Sequence, residues 1–411
     1  MSGQPGADGP PLRIALVSMH TSPIGRPGAG DVGGMNVVVR QVAERLGAAG
    51  HSVDIYCRRG DGASPARVSH SPGVVVHHLP AGPPTPLTKA ELEDHVEEFT
   101  EALAREGPWD ILHSHHWFSG MSALAIARER GLGHVQSFHS IAADPADPLA
   151  FGERPEGPGR LPGERLLARE SDAVIAVSHA EANTAVGRLG SAPSRVVVVP
   201  PGVDSEQFHP IAPTGPTVPG TSAGRPRLVV AARLEPLKGV DLAIEALARL
   251  DEPRPLLVVS GAPTGGFADY AADLHELARG LDVAGDVEFA GPLGRADLAE
   301  RMRHALAVLV PSHSETYGLV ALEGAASGRP VIASRAGGLS DAVLDGVTGI
   351  LLPDRDPEVW AGTIRSLLED PGRAAELGRA GREHALAHPW QATAAGWERT
   401  YRHVIATGGH G

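Results

Sequence analysis

Two cations five residues apart, Arg233 and Lys238 in the run ARLEPLKG, follow the apolar segment LVVAA. A loop that carries both at a strand end can clamp the two phosphates of a diphosphate; alone, the same pair also fits a solvated basic loop. Further on, Glu315 and Glu323 stand eight apart in SETYGLVALEG. A helix starting near Tyr317 leaves Glu315 in the preceding loop and puts Glu323 inside the helix. Backbone N–H groups before a helix favour a phosphate or a sugar hydroxyl, and an ionised carboxylate can accept from both hydroxyls of a ribose. The small residues Gly324, Ala325 and Gly328 mark that helix as closely packed rather than solvated. Near the N-terminus, HTSPIGRPGAGDVGGMN joins the first apolar run to a helix, with Gly33 and Gly34 at its start. A bare backbone there lets an anion approach, although a plain surface loop has the same composition. The G-x-G-x-x-G spacing of a dinucleotide site is absent.

Histidines form the other cluster: His113, His115 and His116 in HSHHWFSG, and His139 in FHS. Two histidines at i and i+2 suggest metal ligation, but no carboxylate or cysteine completes the set, so no metal is expected. At the carboxyl ends of parallel strands they are expected to line the ligand crevice instead. Asp354 and Asp356 in DRD imitate an acidic metal pair, and their Pro-rich surroundings read as a turn. Cations for a diphosphate, carboxylates for sugar hydroxyls and a glycine-bare helix start are what transfer of a glycosyl group requires. Such a reaction develops positive charge on the sugar and negative charge on the leaving phosphate.

These residues need strands and helices in alternation to bring them together. Apolar runs of strand length occur at Leu12–Met19, His51–Cys57, Val74–Leu79, Ile111–His113, Val135–Phe138, Ala173–Val177 and Val196–Val199. Helical spacing follows the first at Asn36–Leu46, and a charged helix is expected from Lys89 to Arg105. A second series runs through Leu228–Ala232, Leu256–Ser260, Val287–Phe289, Ala307–Val310, Pro330–Ala333 and Ile350–Leu352. Strand–helix alternation of this kind predicts α/β architecture with two Rossmann-like domains facing a central cleft. Residues 1–209 form the first and 227–385 the second. Residues 210–226, rich in Pro, Gly, Ser and Thr, form a linker and a hinge for closure on the donor. Residues 386–411 form a C-terminal helix returning to the first domain.

At 411 residues two domains are the natural expectation, and the net charge of -13 argues against a nucleic-acid partner. Apolar runs stay well short of the roughly 18 residues that span a bilayer, and the start MSGQPGADGPP lacks an apolar signal segment; a cytoplasmic location is expected. The single cysteine, Cys57, reads as a small strand residue and excludes an intrachain disulfide framework. Only two of the 36 basic residues, Lys89 and Lys238, are lysine. In an arginine-rich chain a retained lysine can mark a need for a compact ammonium, or survive by chance.

The E-x7-E pair, the Arg/Lys loop and PPGVD (Pro200–Asp204) together resemble glycosyltransferase family 4 over nearly the whole chain. HTSP…GAGDVGGMN, HSHHWFSG and FHS resemble a narrower group, the inositol-phosphate N-acetylglucosaminyltransferases of mycothiol synthesis. The resemblance implies the GT-B fold and a retaining, metal-independent transfer without a cofactor. It makes His139, Arg233, Lys238 and Glu315 catalytic. It places Gly34, Arg233, Lys238, Glu315, Thr316, Gly318, Leu319 and Glu323 around the nucleotide-sugar donor, and His20, Asn36, Lys89, His116, Ser140 and Arg160 around a small polar acceptor. His139 would touch the donor sugar, with a nearby backbone carbonyl helping the transition state. UDP-N-acetylglucosamine is the implied donor, a GDP-sugar the next, and a homodimer the implied assembly.

Departures from the narrower pattern are confined to a few positions. The acceptor-phosphate pocket of that group holds a Lys, a Tyr, a Thr and an Arg; here Lys89 and Arg160 keep the cations, while His116 and Ser140 replace the other two. The run SHAE (Ser178–Glu181) follows the broader family. A specialised-metabolite transferase acting on an aminocyclitol or thiol therefore stays open. So do a nucleotide-sugar 2-epimerase, which would need no acceptor pocket, and a non-catalytic sugar-nucleotide-binding protein.

Overall fold

The computed structural model describes residues 9–25, 33–144, 156–211, 225–263 and 267–408. Most of the expected linker, and the GAGDV part of the first glycine loop, lie outside these residues. The first sheet is built from β1 (Arg13–Val17), β2 (Ser52–Arg58), β3 (Arg67–Ser71), β4 (Val74–Leu79), β5 (Ile111–His115), β6 (Gly133–Ser137), β7 (Ala173–Ala176) and β8 (Val196–Val198). Its order is β3-β4-β2-β1-β5-β6-β7-β8, parallel except for β3, which runs antiparallel to β4. The second sheet contains β9 (Arg227–Ala231), β10 (Leu256–Ser260), β11 (Val287–Gly291), β12 (Ala307–Val310), β13 (Val331–Ser334) and β14 (Gly349–Leu352), in the order β11-β10-β9-β12-β13-β14. Both are α/β sheets of the expected Rossmann-like kind.

The order of the parallel strands reverses between β1 and β5 in the first sheet and between β9 and β12 in the second. Loops leaving the carboxyl ends of strands on either side of a reversal splay apart and open a crevice. Residues 18–34 and 116 follow the first pair of strands, and residues 232–239 and 311–319 follow the second. Most of the donor-side residues named above sit on these loops, whereas Lys89, His139, Ser140 and Arg160 come from elsewhere in the first domain.

Two expectations about local structure are corrected. The helix expected over 89–105 is two helices, Lys89–Glu93 and Val96–Leu103. Thr88 and Glu91 form a reciprocal capping box that starts the first; Glu97 and Glu98 in the first turn of the second favour a new N-terminus there. Asp356 is a helix cap rather than a turn residue: its carboxylate accepts from Glu358 N at 2.9 Å and starts Pro357–Glu369.

The end of the chain completes the first domain. Helix Trp390–Ala406 buries Trp390, Trp397, Tyr401 and Val404 among Ile14, Val42, Ile111 and Val135 of the first sheet and its covering helix. Full burial of one such large apolar side chain contributes about 1.5–3 kcal/mol. Gly396 lets this helix approach Val199, since a Cβ there would fall 2.7 Å from a methyl carbon.

Candidate active site

One cavity of about 1130 Å³ lies between the two sheets' crevices, and every residue assigned above to catalysis, donor or acceptor lines it. On the second-domain side, Lys238 ends the short 3-10 turn Pro236–Lys238. Gly239 follows with φ 65°, and its backbone packs so closely on the Pro311 carbonyl that a Cβ would collide. Lys238 is thereby anchored to the end of β12. Its Nζ donates to Glu315 Oε2 at 2.9 Å, and Arg233 pairs with Glu235 at the same distance. An ammonium has three N–H donors, so the bond to Glu315 leaves two for an incoming oxygen.

Helix Leu319–Ala326 begins behind these groups, with Gly318 at its N-cap in the left-handed region. Residues Ala321 to Ala326 are buried, as the run of small residues predicted. Glu323 is 6% exposed in its side chain and pairs with Arg295 at 2.9 Å. Burial raises its pKa, and Arg295 opposes that shift. Sequence reasoning missed Arg295, which lies far along the chain from Glu323, and passed over Glu235, although it stands two residues from Arg233 in the same loop.

Across the cavity, Gly34 opens helix Gly34–Ala48, and a Cβ on it would sit 3.4 Å from Leu319 Cδ1 of the other domain. Asn36 has its side chain engaged: Oδ1 accepts from Gly33 N, and Nδ2 donates to Thr21 Oγ1 and Ser22 O. It ties Gly33 at the helix start to Thr21 and Ser22 after β1. His139 sits after β6 with φ 59°, and its carbonyl accepts from Thr316 Oγ1 at 2.7 Å. That bond joins the two domains beside Glu315.

Several of the residues expected to meet the acceptor lie close together. Arg160 is 5% exposed in its side chain; Nε donates to Glu164 at 2.9 Å, Nη1 bonds Glu156, and Nη2 donates to Ser140 Oγ at 3.1 Å. Lys89 lines the cavity near them, at the start of its helix. His116 lies with φ 70° against His20, ring centroids 4.5 Å apart. Both nitrogens of His116 and Nδ1 of His20 are buried without a hydrogen-bond partner. Burial holds the pKa of His20 and of His139 down to about 3, and that of His116 well below its usual value. These rings are neutral at physiological pH.

The expectation for the histidines is corrected in part. His116 and His139 line the cavity, whereas His113 and His115 are fully buried behind it. Their rings pack on Trp397 of the C-terminal helix, an apolar surface the sequence could not place at the end of β5. Among the described residues no three His, Cys, Asp or Glu side chains converge as a metal-binding group.

Residues 32–207 match the family described as Glycosyltransferase Family 4, and residues 217–384 match Glycosyl transferases group 1. A D-inositol 3-phosphate glycosyltransferase of Kineococcus radiotolerans is 38% identical, with 96% of this chain and 95% of that one aligned. Its counterpart in Stackebrandtia nassauensis is 40% identical over 93% of this chain and 90% of its own. The chain belongs to glycosyltransferase family 4. Among solved structures, sucrose-phosphate synthase from Thermosynechococcus elongatus superposes with a TM-score of 0.86 at 28% identity, covering 96% of this chain and 100% of the other. Anabaena Alr3699/HepE in complex with UDP-glucose shares the fold at a TM-score of 0.73 and 19% identity, over 96% of this chain and 100% of its own. The fold is GT-B and the protein a glycosyltransferase. No helix among the described residues is long and apolar enough to cross a membrane.

One buried acid of this family 4 enzyme escaped the sequence reading. Glu181 caps its own helix region: Oε2 accepts from Val177 N at 2.7 Å, and burial pushes its pKa up to about 7. The folded state therefore keeps a proton that the unfolded chain loses at its ordinary value of 4.5. The resulting stability is fully present below that value and is lost as pH rises through about 7. Glu181→Gln can still accept from Val177 N but does not titrate. The variant is expected to gain on wild type by roughly 3 kcal/mol between pH 4.5 and pH 8, as read from urea unfolding. Parallel stability–pH curves for the two proteins would remove Glu181 as the titrating group.

Proposed function

We propose that this glycosyltransferase moves N-acetylglucosamine from UDP to an inositol phosphate, with retention of configuration and without a metal. What carries the reading is Lys89 and Arg160 on the same cavity as Arg233 and Lys238, one cation pair for each substrate. Support comes from the full-length similarity to enzymes named D-inositol 3-phosphate glycosyltransferase, and from a structural neighbour solved with UDP-glucose. Arg233 and Lys238 neutralise the leaving diphosphate, Glu323 accepts from the ribose, and Glu315 holds the transferring sugar next to Lys238. The bond from the anomeric carbon to the phosphate oxygen breaks while a bond to the acceptor oxygen forms on the same face. The leaving phosphate oxygen takes the acceptor's hydroxyl proton, so no protein base is required. Residues 210–226 serve as the hinge between domains 1–209 and 227–385; the enzyme works in the cytoplasm, as a homodimer.

A second reading has its own observation. His116 presents two unpartnered nitrogens in the acceptor region, and Arg160 is already held by two glutamates. Such a lining also suits an uncharged polyol, such as an aminocyclitol. The test is mass-spectrometric transfer from UDP-N-acetylglucosamine and GDP-sugars to inositol phosphate and to unphosphorylated cyclitols, with and without EDTA. Product with inositol phosphate, undiminished by EDTA, is expected. Turnover only on an unphosphorylated acceptor would select the second reading, and loss of turnover in EDTA would overturn metal independence.

A further inference from the structure

Behind the cavity wall lies a set of buried rings whose protons can be assigned from hydrogen-bond chemistry. Ser137 Oγ donates to Ile175 O at 2.9 Å, which uses its only proton. His113 Nε2, 2.9 Å from the same oxygen, must then be the donor. With Nε2 protonated in a neutral ring, Nδ1 of His113 is an acceptor, and Tyr401 donates to it at 2.7 Å. His113 is thus fixed in ring orientation and tautomer by a strand on one side and the C-terminal helix on the other.

His115 stands next to it, ring centroids 4.3 Å apart, and Trp397 touches both rings, stacking on His115 at 5.3 Å and 25°. Its Nδ1 lies 2.9 Å from His139 Nε2, while its own Nε2 is buried without a partner. Two arrangements are available to this neutral pair. If His139 donated, the proton of His115 would sit on Nε2 as an orphaned buried N–H. If His115 Nδ1 donates, only a lone pair is left unpartnered, and orphaned buried donors are the rarer and costlier defect.

We propose that His115 is a positioning residue: its Nδ1–H donates to His139 Nε2 and so fixes His139 as the tautomer protonated on Nδ1. Nδ1 is then the ring's remaining polar atom and a hydrogen-bond donor for a substrate oxygen. The bond from Thr316 to its carbonyl holds His139 at the junction of the two domains, on the cavity that Glu315 also lines. The proposal rests on the cleft being the site of transfer. Trp397 and Tyr401 extend the device: the helix that returns from the second domain sets the rings that aim a cleft residue.

Two measurements test it. In protein labelled with ¹⁵N-histidine, the ring signals of His139, assigned by their loss in His139→Asn, should report a protonated Nδ1 and an unprotonated Nε2. The opposite tautomer overturns the proposal, and this readout needs no substrate. In turnover, His115→Phe keeps the ring stack but removes the donor. It is expected to lower kcat by roughly 10- to 100-fold, as when an imidazole loses its orienting partner, with KM for both substrates within about twofold. His115→Asn places an amide N–H where Nδ1 was and should recover kcat to within about threefold of wild type. A His115→Phe enzyme with wild-type kcat, or a His115→Asn enzyme as impaired as His115→Phe at equal thermal stability, overturns the proposal. A wild-type enzyme that ignores inositol phosphate but turns over another acceptor would sink the substrate reading alone; the same comparisons would then be made on that acceptor.

Discussion

Lys238→Ala is expected to lower kcat/KM by about 10³-fold or more, the largest loss of any single substitution on the donor side. In the proposed reaction the leaving diphosphate gains charge as the glycosyl bond breaks, and an anchored ammonium in the cleft would stabilise that charge without reorganising. Removing it also leaves Glu315, its partner at 2.9 Å, as an unbalanced carboxylate facing an incoming diphosphate. Arginine should not restore the rate. Its planar fork cannot occupy the place of a compact ammonium at the end of a 3-10 turn whose backbone is pinned to Pro311. Initial rates with varied donor, alongside UDP binding by calorimetry, check this. Near-normal turnover in Lys238→Ala would mean the leaving group is neutralised elsewhere.

Arg160→Ala is expected to damage both stability and acceptor use, through separable causes. Among the described residues Glu164, with a side chain 1% exposed, would keep only the Ala142 N–H as a partner, and breaking a buried ion pair on one side costs about 3–5 kcal/mol. The deficit should shrink at low pH, where protonation removes the buried charge. The double variant Arg160→Met/Glu164→Met removes both charges together, so most of the stability should return. Affinity for an anionic acceptor should not return. Unfolding curves and acceptor KM for the three proteins separate the two effects. A double variant with normal KM for inositol phosphate would show that Arg160 only supports the fold.

Most strands could be read because parallel strands buried on both faces are continuous apolar runs; β10 and β12 match their sequence bounds residue for residue, as does β4, whose alternate residues are only partly buried. β3, RVSHS, was missed: it is a partly exposed edge strand whose identity depends on pairing with β4 rather than on its own pattern. Arg233, Lys238, Glu315 and the histidines could be found because they follow strand ends, whereas His20, Ser140, Arg160, Thr316, Gly318 and Leu319 came from the family resemblance. Their partners could not be found. Arg295 meets Glu323, His115 meets His139 and Glu164 holds Arg160 through contacts decided by three-dimensional packing. The split of the helix at Asp94–His95 had a faint sequence signal in Glu97 and Glu98, which favour a new N-terminus there, but the helical spacing around it outweighed them.

The returning helix also orders events during synthesis. The first sheet is complete by residue 198, yet Trp390, Trp397 and Tyr401, which seal one of its faces, emerge from the ribosome almost two hundred residues later. At roughly 5–20 residues per second, the nascent first domain spends about ten seconds or more with that apolar face uncovered. During this interval it is a natural client for a holdase, and a ribosome stalled within the second domain would release a chain prone to aggregate.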